Sequence, residues 1–306
     1  MKPIRLESVY KKTIWADNYF SQLRNLDEKI GIAREVCAYK GSENIVLSPE
    51  FEGLKISDVI KTHHEELMGD DPNNQLIRCA YMSSGEDLSI QVHMTEEQAQ
   101  KVGDYEKSEA WYVLRAGENG SVVVGVNTDD KEVLKNAILN NELEKYLIRK
   151  PVQEGDFVMV PANLIHANGK DLFVLEIASY GGITYRLYDY GRGRELDLDK
   201  GLEVSNTTLR SQINHFPIPE EFKNSIKVGV HHPLFHTDVI DVEKEILLNN
   251  ENNYSIISCV KNNCTVECEG ESYRLEYTET LLIPASIKTY AIKGNCRVLR
   301  SYKPKN

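Results

Sequence analysis

Gly85-Glu86-Asp87-Leu88-Ser89-Ile90-Gln91-Val92-His93 is the stretch on which the reading of this chain turns, and it finds a partner in Gly155-Asp156-Phe157-Val158-Met159-Val160-Pro161, which runs on through Asn163 to His166. After the first stretch and a polar insertion come Glu109 and Gly117. Successive side chains of a strand point to opposite faces, so Gln91 and His93 share one face while Val92 takes the other. One amide oxygen, two imidazoles and a carboxylate, from Gln91, His93, His166 and Glu109, can therefore meet on one divalent ion.

The two stretches resemble the two motifs of the cupin barrel, with Gln91 where many cupins carry their first histidine. A more specific resemblance is to the type I mannose-6-phosphate isomerases, whose signature is similar to Leu88-Ser89-Ile90-Gln91-Val92-His93 followed by Ser108-Glu109-Ala110-Trp111-Tyr112. Thr184-Tyr185-Arg186-Leu187-Tyr188-Asp189-Tyr190 resembles that family's active-site arginine segment, and length and motif order extend the likeness over nearly the whole chain. The resemblance implies a mainly β protein of two cupin-type (jelly-roll) β-barrels with a small helical insertion. It also implies one zinc ion per chain on Gln91, His93, Glu109 and His166, with Arg186 as the catalytic residue. Lys107, at a position where the family tends to keep a lysine, and Arg78, where it commonly has one, become candidates for the phosphosugar. The sequence departs from the family at Ala16-Asp17, where Gly-Gly usually follows the tryptophan, at Arg78 and at Met94-Thr95-Glu96-Glu97, where Pro-Asp-Asp is frequent. Asn163 stands where cupins usually place glycine, and asparagine is the next-best residue for a left-handed backbone.

With 306 residues the chain can hold one large or two ordinary domains. A formal net charge of -11 argues against nucleic acid or an anionic membrane as the main partner, so an anionic substrate needs a local basic pocket. No basic leader and no apolar run near ~20 residues occurs, so neither a signal peptide nor a membrane span is expected. The protein reads as cytoplasmic. Cys37, Cys79, Cys259, Cys264, Cys268 and Cys296 lack the paired spacing of zinc ribbons and read as reduced structural thiols.

Along the chain, Ser57 or Asp58 can cap a helix through Val59–Met68 that Gly69 closes. Thr95 followed by Glu96 to Gln100 reads as a capped helical turn, and 129–147 as a pair of short amphipathic helices. If a strand begins at Lys107, that lysine shares a face with Glu109. His231, His232 and His236 form a second dense histidine group, without a cysteine or carboxylate at a recognised ligand spacing.

Residues 278–291 echo 155–168: Leu281-Leu282-Ile283-Pro284-Ala285 parallels Val158-Met159-Val160-Pro161-Ala162, and the register puts Thr289 where His166 stands. The expected organisation is a metal-binding catalytic cupin over 1–204 and a degenerate cupin over 205–306 that lacks the equivalent ligand. Arginine is nearly always protonated, so Arg186 suits oxyanion stabilisation better than proton abstraction; its bland alternative is an ion pair with Glu176 or Asp189. The activity implied by the family is interconversion of mannose 6-phosphate and fructose 6-phosphate. Two rivals are an iron-dependent cupin oxygenase, since two histidines and a carboxylate also make a facial triad, and a non-catalytic sugar-phosphate-binding cupin.

Overall fold

The computed structural model describes residues 1–305. Two compact units form, and their segments alternate along the chain. Met1–Val9, Arg34–Ala80 and the described residues from Phe216 on make the first; Tyr10–Ala33 and Tyr81–His215 make the second.

The chain is mainly β. The strands up to His215 are β1 (Val9–Lys11), β2 (Ile32–Val36), β3 (Arg78–Ser84), β4 (Ile90–Val92), β5 (Glu109–Ala116), β6 (Ser121–Val126), β7 (Leu147–Pro151), β8 (Asp156–Val160), β9 (His166–Asn168), β10 (Leu172–Ala178), β11 (Tyr185–Tyr188) and β12 (Ile213–His215). They form a seven-stranded sheet in the order β1-β2-β3-β10-β5-β8-β12 and a five-stranded sheet in the order β11-β4-β9-β6-β7. The inner faces meet in one apolar layer, where Trp111, Val113, Val158, Val160 and Val174 of the larger sheet pack with Val122 and Val124 of the smaller. Trp15 joins that layer, as a core aromatic beside the family departure at Ala16-Asp17.

Helices cover the outer faces. On the larger sheet, α1 (Tyr19–Leu23) lays Phe20 against Tyr81 and Phe173, with ring centroids 6.0 and 5.7 Å away. On the smaller sheet, α4 (Glu96–Gln100), α5 (Lys131–Leu139) and α6 (Leu198–Val204) cover Ile90, Val92, Val123, Ile165 and Leu187 with Ala99, Leu134, Ile138 and Leu202. The strand alternation therefore leaves Gln91 and His166 facing inward.

In the first unit α2 (Ile56–Thr62) and α3 (His64–Met68) replace the single helix expected over 59–68. His63 breaks it with φ -133 and ψ 40, its ring turned edge-on to Phe51 at 4.8 Å. The expected cap at Ser57 or Asp58 is absent too, because α2 starts at Ile56 behind Lys55. Thr95 behaves as expected and closes a capping box with Gln98. The 129–147 segment forms α5 and a 3₁₀ turn at Leu143–Tyr146.

The later strands are β13 (Ser225–His232), β14 (Phe235–Asn249), β15 (Ser255–Lys261), β16 (Cys264–Cys268), β17 (Glu271–Leu275), β18 (Thr280–Ile283) and β19 (Thr289–Tyr302). Their order is β13-β14-β19-β15-β18, with β16 between β19 and β17. The sequence echo carries into the backbone: Gly155 has φ 89 and Thr278, its counterpart, φ 72. A β-branched residue at positive φ is unfavourable, so tertiary packing holds that turn. Thr289, in the register of His166, is exposed at the start of β19.

These sheets are open. Closure into a barrel requires hydrogen bonds from the last strand back to the first, whereas here the two sheets of the second unit are joined through their apolar inner faces. All six cysteines are buried, and none is in a disulfide. Among the described residues no helix is long and apolar enough to cross a membrane.

Candidate metal centre

Strand register places the candidate residues. Gln91 on β4 lies opposite His166 on β9 and opposite Arg186 on β11, so the three form one row across the five-stranded sheet. Glu109 opens β5 in the facing sheet, paired with Val160 and Ala178. His93 follows β4 directly, and its carbonyl accepts from the Asn163 backbone N–H (2.8 Å) and side-chain amide (3.1 Å). Asn163 holds φ 67, the left-handed conformation its identity suggested.

His93, Glu109 and His166 each aim one ligand atom at a common point, all within 4.8 Å of one another and all buried. The histidine tautomers follow from their outer nitrogens. His93 Nδ1 donates to the Ile183 carbonyl (3.2 Å) and His166 Nδ1 to that of Leu164 (2.8 Å). Each Nε2 is then a lone pair turned inward. His93 Nε2 faces Glu109 Oε1 at 3.0 Å, and His166 Nε2 lies 3.9 Å from Glu109 Oε2. Two acceptors 3.0 Å apart repel unless a cation joins them, and the Lys107 ammonium does so here. Burial lowers the pKa of both histidines, His166 to about 3, with Lys107 and His93 as the next causes respectively. Burial opposes ionisation of Glu109, but Lys107, then His93, hold its carboxyl well below the usual carboxylate range. Neutral imidazoles oriented by backbone carbonyls, with an ionised carboxylate, make the donor set that a divalent ion takes.

Lys107 adds a cation to the cluster. Its ammonium contacts Glu109 Oε1 and lies 3.2 Å from His93 Nε2. Lys107 precedes β5 rather than beginning it, yet the two side chains still meet, as the expected shared face required. Gln91 Nε2 is 3.3 Å from His166 Nε2 and donates to it; an amide rotated by 180° presents its oxygen there instead. Arg186 is fixed through its backbone N–H to Asp197 (3.1 Å) and its Nη1 to the Glu195 carbonyl (2.9 Å). Its Nε–H is buried and meets no acceptor among the described residues. Asp189, an alternative partner on sequence grounds, is held by Arg192 and Arg194.

The structure thus brings together Gln91, His93, Lys107, Glu109 and His166, with Arg186 in the same strand row as Gln91 and His166. Arg78 belongs to the first unit, where its guanidinium lies 5.2 Å from the Tyr39 ring centroid. The other histidine group also lies there, beside a cavity of about 480 Å³. His231 Nδ1 and His236 Nδ1 are 3.0 Å apart, and His236 Nε2 lies 3.0 Å from Asp238, so these rings satisfy one another. Trp111 is the site residue that the sequence reading left unassigned. Its indole N–H donates to Glu109 Oε2 at 3.0 Å, a contact that the two-residue spacing on one strand face already permits.

Known proteins resemble this chain in sequence and in fold. The family model for the mannose-6-phosphate isomerase cupin domain matches residues 226–303, downstream of the metal cluster. A mannose-6-phosphate isomerase of Streptococcus mutans is 25% identical over 313 residues, covering 98% of each chain. The crystal structure of the mannose 6-phosphate isomerase from Bacillus subtilis superposes with a TM-score of 0.88 at 24% identity, over 98% of this chain and 99% of that one. A mannose 6-phosphate isomerase crystallised with zinc and yttrium gives 0.78 at 12% identity over both whole chains. Over nearly its whole length the chain is thus similar in sequence to mannose-6-phosphate isomerases and shares the fold of the solved ones.

Proposed function

We propose that this protein is an aldose-ketose isomerase that interconverts mannose 6-phosphate and fructose 6-phosphate, with one zinc ion per chain held by His93, Glu109, His166 and the amide oxygen of Gln91. The carrying observation is the convergence of one ligand atom each from His93, Glu109 and His166, all buried and within 4.8 Å of one another. A bound ion of this kind polarises the sugar's carbonyl and hydroxyl oxygens. The chain's own groups supply the rest. Arg186, with an unengaged buried Nε–H, stabilises the oxyanion that develops when a proton moves between adjacent carbons. Lys107 orients the substrate's phosphate or hydroxyls from beside Glu109. Arg78 is the second phosphate candidate; its stacking on Tyr39 favours a packing role, and an unchanged KM in Arg78→Ala would assign it there.

On this reading residues 1–204 carry the catalytic cupin, whose two facing sheets are the halves of a jelly roll, and 205–306 a degenerate one. Six buried thiols, none in a disulfide, suit a reducing cytoplasm. The test is ketose 6-phosphate formation from mannose 6-phosphate by zinc-loaded and metal-stripped protein. Turnover in the loaded sample alone is expected; bound zinc without turnover would refute the substrate.

One feature favours a second reading. As placed, Gln91 donates to His166, which leaves two histidines and one carboxylate, the donor set of a non-haem iron site. Iron in the purified protein, with oxygen uptake and no isomerisation, would support it.

A further inference from the structure

Resting on the reading of His93 as a metal ligand, we propose that Asp104 is a positioning residue for that ligand, acting through the backbone of Gly181–Ile183. The Asp104 side chain is buried, 7% exposed, in the loop between α4 and β5. Its Oδ2 accepts from the backbone N–H groups of Gly182 (3.0 Å) and Ile183 (2.8 Å), and its Oδ1 accepts from Gly182 at 3.3 Å. Two consecutive peptide planes are thereby pinned. The next carbonyl, that of Ile183, is the acceptor for His93 Nδ1.

The chain of contacts therefore runs from a carboxylate, through two N–H groups and one peptide unit, to the nitrogen that selects the His93 tautomer. A histidine ligand is oriented by the partner of its other nitrogen. Here that partner is a loop carbonyl, and a loop carbonyl is only as fixed as the loop. Around Ile183 the fixing comes from two sides. β11 begins at Tyr185 and is laddered to β4. Toward the N-terminus, Gly181 N–H donates to the Glu106 carbonyl at 2.9 Å, and a Cβ at Gly181 would lie 2.3 Å from the Tyr105 carbonyl oxygen. Residues 104–106 and 181–183 are thus in direct backbone contact, with Asp104 supplying its two acceptor oxygens.

The same loop ends in Lys107, whose ammonium sits against Glu109. Asp104 consequently ties the loop that delivers the cluster's cation to the loop that sets its imidazole. Asp104→Ala leaves two buried backbone donors without an acceptor and frees the Ile183 carbonyl to turn. Asp104→Asn keeps one oxygen for these donors, but sets an NH₂ against one of them.

The test uses full-length protein loaded with Co²⁺, read by its visible absorption and by competition with a chelator. His93→Ala serves as the control for the metal site. Expected is loss of the Co²⁺ spectrum in His93→Ala. Asp104→Ala should bind roughly 10- to 100-fold more weakly, with a shifted band as the imidazole swings, and Asp104→Asn should fall between it and wild type. Unfolding of the metal-stripped variants shows whether the fold survives. Wild-type affinity and spectrum in Asp104→Ala would overturn the proposal while leaving the metal site standing, as would wild-type behaviour of Asp104→Asn should the alanine variant not fold. Equal Co²⁺ binding by wild type and His93→Ala would remove the metal reading itself, and the proposal with it.

Discussion

Replacing Arg186 by alanine isolates the electrostatic part of the proposed reaction. The residue sits in the row Arg186-Gln91-His166, close to the cluster by strand register, yet it is not a ligand. Its side chain makes one hydrogen bond, from Nη1 to the Glu195 carbonyl, and keeps its Nε–H for another partner. Losing the single bond costs the fold about 1 kcal/mol, so Arg186→Ala should fold and retain its metal. The loss of a positioned donor to a developing oxyanion costs about 2.7–4 kcal/mol of transition-state stabilisation, or roughly 100- to 1,000-fold in kcat. Arg186→Lys keeps the charge but not the fork, and should recover only part of the rate. The assay is steady-state conversion of mannose 6-phosphate to fructose 6-phosphate, with metal content and urea midpoint measured on the same preparations. A kcat within a factor of three of wild type, at full metal content, would refute the reasoning.

Other parts of the molecule respond in separable ways. Trp111→Phe removes the indole donor to Glu109 Oε2, a bond to a charged group worth about 1.5–3 kcal/mol; a lower urea midpoint and weaker zinc retention under chelator are expected, and no change in either would show that the contact orients nothing. Arg297→Ala breaks a buried two-pronged pair with Asp241 (2.7 and 2.9 Å) and should cost roughly 3–5 kcal/mol in denaturant unfolding; a loss below about 1 kcal/mol would mean the pair is solvated. Burial opposes ionisation of Asp189, but Arg194 and Arg192 hold its carboxyl below the model-compound 3.8. Because the folded value is the lower one, its contribution is complete above pH 3.8 and fades as pH falls from there through the folded value. Asp189→Asn should therefore flatten the acid limb of a stability-pH curve below about pH 4, and an unaltered limb would exclude the residue from acid unfolding.

How far the sequence carried is best seen residue by residue. The shared side of Gln91 and His93 was legible because strand alternation is a property of the local chain, whereas the pairing of Gln91 with His166 is a long-range register that alternation does not give. The Thr95 capping box and the left-handed turn at Asn163 were legible for the same reason, since both are settled within a few residues. The helix over 59–68 was misjudged, because its propensity favours continuation while the packing of His63 on Phe51 breaks it. The surroundings of Arg78 were also not legible, since the contact of its guanidinium with the Tyr39 ring is set by the fold. Closure of the sheets into barrels could not be read either, since it depends on which strands end up at the edges.

The sequence by itself therefore determined that Gln91 and His93 lie on one side of their segment, from a period of two, while the mainly β character and the candidate ligand set came from its likeness to a known family. Only the tertiary structure decided the protonation of those ligands. The tautomers of His93 and His166 depend on the carbonyls of Ile183 and Leu164, and a backbone carbonyl carries no mark in the sequence. Burial of Glu109 is likewise a property of the folded site: the two sheets enclose it and oppose its ionisation, while Lys107, two residues away in the chain, holds its carboxyl well below the usual carboxylate range.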